Sequence, residues 1–140
     1  MNHNELTEKI IGCAMKVHNQ LGPGFLESVY EKALTHELQK HNLQVECQVP
    51  LKVYYDDIIV GEFYADMYIQ DSILVENKAV QSITRHHHVQ LVNYLTATNV
   101  EVGLLINFGS KSLEFKRKHR LYNKISKSNS KKHNSISIGF

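Results

Sequence analysis

The 140-residue sequence has two cysteines, two prolines and no tryptophan. Cys13 and Cys47 show no CxxC spacing and no secretory context, which argues against a disulfide scaffold. Both are expected to be reduced and to lie in or near the core. No apolar run approaches the roughly 20 residues that span a bilayer, and the opening MNHNELTEKI lacks the apolar stretch of a signal peptide. The expectation is a cytoplasmic protein with no membrane partner. Internal repeats are absent, and so is any collagen-like or mucin-like bias. Acids are nearly missing from the last thirty positions. Residues 111–140 hold nine Lys or Arg against the single acid Glu114, whereas residues 1–110 hold seven bases and thirteen acids. A modestly acidic body with a basic tail suits a polyanion such as nucleic acid, or else a solvated end.

What remains is globular in character: 42% hydrophobic and 21% charged residues, in a chain long enough for one domain with a real core. From Glu5 to Asn19 the apolar residues Leu6, Ile10, Cys13, Met15 and Val17 sit near helical spacing, and Leu-Gly-Pro-Gly at 21–24 stops that helix. A second helix is expected from about Phe25 to His41. Its Glu27, Glu31 and Glu37 give it the wrong sign for entering a major groove, so this hairpin is not read as a DNA-reading helix-turn-helix. The period then changes to two. Leu43, Val45, Cys47, Val49, Leu51, Val53 and Tyr55 form one face of a strand, and Asp56-Asp57 turns the chain. The next strand, about Ile59–Ile69, sets Ile59, Phe63, Ala65, Met67 and Ile69 on one face and Val60, Glu62, Tyr64, Asp66 and Tyr68 on the other. After a turn at 70–72 come a third strand, a helix from about Thr84 to Thr98, and strands at 102–108 and 113–118. The order ααβββαββ predicts an α+β, or mixed α/β, domain over residues 1–118. Residues 119–140, rich in Ser, Asn and Lys, read as a disordered tail.

The third strand, LVENKAV at 74–80, carries Glu76 and Lys78 on one face of an apolar run, roughly 6.5 Å apart along the chain. Buried charges are costly unless something there uses them. If Gln70-Asp71-Ser72 is a three-residue loop, residue i pairs with residue 142 − i, and Asp66 lies opposite Glu76. Two opposed carboxylates repel unless a cation sits between them, and Mg²⁺ or Mn²⁺ takes such oxygen sites. An ordinary cross-strand salt bridge is the plainer alternative for the Glu-Lys pair.

Asp66, nine residues, then Glu76-Asn77-Lys78, on a hairpin between helices, resembles the core of the PD-(D/E)xK nuclease superfamily. VHNQLGPGFLESVYEKAL at 17–34 is similar to the signature of the small bacterial family named for its GxxExxY motif, here Gly24, Glu27 and Tyr30. The resemblance extends through QVPLKVYY at 48–55, GEFYAD at 61–66 and GLLINFG at 103–109. It implies a restriction-endonuclease-like core, an N-terminal helical hairpin followed by ββ(β)αββ around a mixed sheet. It also implies a divalent-metal-dependent nuclease acting on DNA ahead of RNA. Asp66, Glu76 and Glu27 would be metal ligands, and Lys78 and Gln90 would join Asp66 and Glu76 in catalysis. Gln90 and Tyr94, four apart on one helix face, resemble a Q-x₃-Y element; Tyr94, Lys116, Arg117 and Lys118 are assigned to nucleic acid. A homodimer is left open. The chain departs from the pattern at Asn77, where an apolar residue is usual; a buried amide there needs partners, and a distorted strand is one expectation. A noncatalytic module that keeps the fold and binds nucleic acid or protein is the rival reading. Consecutive His86, His87 and His88 point about 100° apart on a helix and cannot converge on one ion. His87 or His88 near a phosphate fits better. Glu62 is a reserve ligand, and Tyr64 and Tyr68 are candidates for stacking on bases.

Overall fold

A computed structural model describes residues 1–122 and the backbone of residues 136–138. Helix α1 spans His3–Leu21, with Asn2 accepting from the Glu5 N–H at its start. Leu6, Ile10, Cys13, Ala14 and Val17 form its buried stripe. Helix α2, Glu27–Lys40, buries Tyr30, Leu34 and Leu38. Strands β1 (Val45–Tyr55), β2 (Ile58–Ile69) and β3 (Ile73–Lys78) follow, then α3 (Arg85–Thr98), β4 (Val102–Asn107) and β5 (Glu114–His119). A short β6, Ile136–Ile138, pairs with β1 at Leu51–Val53. The rest of the expected tail, 123–135 and 139–140, lies outside the described residues.

The sheet order is β5-β4-β3-β2-β1-β6, with β3 and β4 parallel and the other pairs antiparallel. Helix α3 is the crossover that a parallel pair requires. α1 and α2 cover one face over Met67, Ile69, Ile73, Val75, Leu104, Ile106 and Phe108. α3 covers the other face through Leu91, Tyr94 and Leu95 against Val49, Leu51, Ala65, Leu74 and Leu105. Central strands covered on both faces read as continuous apolar runs, as Ile73-Leu74-Val75 and Val102–Ile106 do.

The predicted register of the hairpin holds: Ile69 pairs with Ile73, Tyr68 with Leu74 and Met67 with Val75. The faces predicted for β1 and β2 need correction. Met67 and Ile69 pack beneath α1 and α2, but Ala65 packs with α3. Val45 and Val49 are divided in the same way. Both strands therefore turn over between residues 47 and 49 and between 65 and 67. Cys13 is buried as expected, whereas Cys47, still on the α2 side of β1, is exposed rather than in the core. β3 shows no distortion at Asn77, because its ladder with β4 runs unbroken through Asn77↔Ile106 and Lys78↔Asn107.

Candidate active site

The loop before α2 is stapled by Tyr30. Its hydroxyl donates to the Gly22 carbonyl at 2.5 Å and accepts from the Phe25 N–H at 3.1 Å. Its ring is fully buried and stacks on Phe108 at 4.8 Å. Gly24, at φ 114°, occupies a backbone region that side chains rarely adopt. Together they fix the entry of α2 and set Glu27 at its first turn, which accounts physically for a Gly, a Glu and a Tyr at this spacing.

On the sheet, the β2–β3 ladder stops at Met67↔Val75. Beyond it, side chains replace strand-to-strand bonds. The Asn77 N–H donates to Asp66 Oδ2 at 2.8 Å, and the Asp66 N–H donates to Glu76 Oε1 at 3.3 Å. The two carboxylates thus occupy the fork where the strands part. Glu76 is 5% exposed and on the α3 side, since Leu105, its partner across the parallel ladder, belongs to the α3 core. Asn77 points the other way, its Nδ2 3.2 Å from Met67 Sδ and its Oδ1 buried without a partner.

Burial, with the Asp66 charge next, pushes the Glu76 pKa up to about 8, against an opposing contribution from Lys78. Glu27 is also raised, first by burial and further by Asp66, while Lys78 lowers it. Glu31, one helical turn on, responds in the same direction to burial and then to Asp66 and Glu27, while a hydrogen bond from Gln48 Nε2 at 2.9 Å opposes the rise. Asp66 is thus felt by Glu27, Glu31 and Glu76, and Lys78 by Glu27 and Glu76. Glu31 was not singled out from the sequence, although its spacing of four from Glu27 places it on the same helix face. An all-oxygen donor set short of positive charge fits Mg²⁺ or Mn²⁺.

Tyr94 reaches this site from α3. Its pKa is raised by burial first and then by Glu76 and Asp66, and Gln90 Nε2 lies 3.4 Å from its hydroxyl. Its ring centroid is 5.8 Å from that of Phe63. Glu62 and Tyr64, beyond the point where β2 turns over, alternate onto the face opposite Phe63 and Ala65, away from Glu76 and Tyr68. His87 is near enough to Lys78 for that charge to lower its pKa, after burial. His88 is lowered by burial and then by Lys118 and Lys116. His88 lines an open groove of about 710 Å³ between α3 and β5, where Arg85, Asn93, Lys116, Lys118 and Leu121 are among the other lining residues, and the adjacent His87 lies toward Lys78. Arg85, Lys116 and Lys118 form no ion pair among the described residues. Arg117 turns to the opposite face, where its guanidinium donates to Asn4.

Among the described residues, the group of three ligand side chains whose donor atoms lie within 4.8 Å of one another is Cys13, Glu37 and His41; Glu27, Asp66 and Glu76 do not close to that spacing. Lys16 and Lys40 bridge Glu37 at 3.1 and 3.4 Å, so its charge is already compensated by ammonium groups. Among the described residues, no helix is long and apolar enough to cross a membrane.

The model of the PD-(D/E)XK nuclease superfamily matches residues 4–118. A crystal structure of a protein designated SSO0001 is similar to this chain, with a TM-score of 0.51 and 23% identity, over 71% of this chain and 52% of that one. This chain therefore spans about half the length of that protein, and the likeness is one of fold. No curated protein matches the sequence.

Proposed function

Because the chain belongs to the PD-(D/E)XK nuclease superfamily, with the restriction-endonuclease-like α+β fold, we propose that it hydrolyses phosphodiester bonds of DNA in the cytoplasm using Mg²⁺ or Mn²⁺. Gly24, Glu27 and Tyr30 support a further assignment to the GxxExxY group. The observation that carries the reading is the fork at Asp66 and Glu76, joined by Glu27 from α2 and Lys78 from β3. Asp66, Glu76 and Glu27 would hold the ion, with Glu31 beside them. When bound, a divalent ion lowers the pKa of water and neutralises charge on the phosphate. The Lys78 ammonium orients the attacking water and offsets charge that builds on the phosphate oxygens. Gln90 and the Tyr94 hydroxyl stand across the site to position the substrate. The groove with Arg85, Lys116 and Lys118 supplies phosphate contacts that carry no sequence preference, and the basic segment after residue 118 adds to them. The amide of Asn77 faces the core, so its presence between Glu76 and Lys78 leaves the reacting side intact.

Calorimetry with Mn²⁺, paired with degradation of single-stranded and duplex DNA, tests this reading. Wild type should bind and cleave. Glu76→Ala should lose the ion, and Lys78→Ala should keep it while cleavage falls by about 100-fold or more. A wild-type protein that binds no Mn²⁺ even with DNA present would leave the noncatalytic module as the better account.

A further inference from the structure

Gln48 has a left-handed backbone, φ 53°, in the middle of β1. The other non-glycine residues with positive φ among those described, Asn42, Asp56, Asp57, Gln70, Asp71 and Asn99, all lie in turns or at a helix cap. Gln48 is the exception, and glutamine lacks the short side chain that makes this region accessible to Asn and Asp. An outlier of this kind persists only where surrounding structure enforces it, and such outliers cluster at functional sites.

Its place in the sheet shows what the outlier does. Cys47 pairs with Met67 and Val49 with Ala65, so the register is the same on both sides and no residue has been inserted. Only the intervening pair, Gln48 and Asp66, is missing from the ladder. Here both strands turn over. Cys47 Sγ lies 3.2 Å from Thr35 of α2, while Val49 and Ala65 pack with α3. In a regular strand Asp66 would stay in a continuous ladder with β1. Released from it, Asp66 meets the Asn77 amide through its carboxylate. The side chain of Gln48 meanwhile donates to Glu31.

We propose that Gln48 is a positioning residue whose left-handed backbone breaks the β1–β2 ladder opposite Asp66 and turns that carboxylate onto the Asn77 amide beside Glu76, while its side chain anchors Glu31. The inference rests on the reading of Asp66 as a metal ligand only for its consequence; the placement of Asp66 can be measured without metal.

The backbone and the amide are separable by substitution. Gln48→Gly removes the amide and keeps the left-handed conformation available, whereas Gln48→Val opposes it and favours a regular strand. Two measurements on the full chain decide the matter: hydrogen exchange of the Asn77 amide in metal-free protein by NMR, and Mn²⁺ affinity by calorimetry. Gln48→Gly should retain Asn77 protection and stay within about threefold of wild-type affinity. Gln48→Val should lose protection at Asn77 and weaken Mn²⁺ binding by about tenfold or more. Equal behaviour of the two variants in both measurements overturns the proposal. If Gln48→Val does not fold, Gln48→Ala against Gln48→Gly makes the same comparison with a smaller step, and equal protection at Asn77 is again the overturning result. If wild type binds no Mn²⁺, the nuclease reading fails separately and Asn77 protection alone decides the role of Gln48.

Discussion

Burial and the neighbouring Asp66 raise the Glu76 carboxyl to a pKa of about 8, so in metal-free protein at pH 7 it is largely protonated. Unfolded chain would return it to about 4.5. A carboxyl that holds its proton more tightly when folded stabilises the protein fully below the unfolded value, and that contribution is lost as pH rises toward the folded one. Metal-free protein should therefore lose thermal stability between about pH 4.5 and pH 8, and the glutamine isostere at this position should lose less. At pH 8 in the presence of a chelator, Glu76→Gln should melt above wild type, with the gap closing toward pH 5. Parallel melting curves across that range would show that Glu76 is not the titrating group. Glu27 is shifted in the same direction and leaves a residual slope in the variant. Metal binding must release the proton from Glu76, so affinity should rise with pH.

Between elements, the end of β3 is clamped by Asn107. Its Oδ1 accepts from the Val80 and Gly109 N–H groups at 3.0 Å, and its Nδ2 donates to Val80 O at 2.9 Å and to Glu114 Oε1 at 2.8 Å. Gly109 passes so close that an added Cβ would sit 2.4 Å from the Val80 backbone. Gly109→Ala should cost about 1 to 3 kcal/mol in denaturant unfolding and loosen the stretch that follows Lys78. A neutral result there would mean the two loops can separate without cost. These approaches are not legible in the sequence, because nothing in GLLINFG says which backbone it will touch. The helices and strands were readable from their periods, and the register of the β2–β3 hairpin followed from a three-residue loop. The turning-over at Gln48 and Asp66 was hidden because strand alternation carries no mark of one residue with φ reversed. Glu76 and Lys78 were legible as charges out of place in an apolar strand and Asp66 through the hairpin register, whereas Glu31 resembled any solvated helix acid until the sheet was set against it.

Across the whole molecule, charge is arranged by face as well as by position in the chain. Lys116 and Lys118 look into the groove with Arg85, while Arg117 between them belongs to the α1 side. Replacing Lys116 and Lys118 with Glu should weaken nucleic-acid binding and flatten its dependence on salt. The slope of log affinity against log salt should fall by about 0.7 to 0.9 for each phosphate that the protein ceases to neutralise. Arg117→Glu should leave that slope nearly unchanged; if it flattens the slope as much as the pair does, the groove is not the path of the strand.

The parallel pairing of β3 with β4 also has a consequence for how the protein is made. β3 is translated well before its second neighbour: about thirty residues separate Lys78 from the end of β4, or about 2 to 6 s of synthesis. Through that interval Ile73-Leu74-Val75 emerges as the bare outer edge of a three-stranded hairpin, an open template for another nascent chain. The strand that carries the carboxylate and the lysine of the site is thus open to misassembly at birth, and ribosome-bound chains halted after β3 has left the exit tunnel but before β4 has should aggregate more readily than released chains.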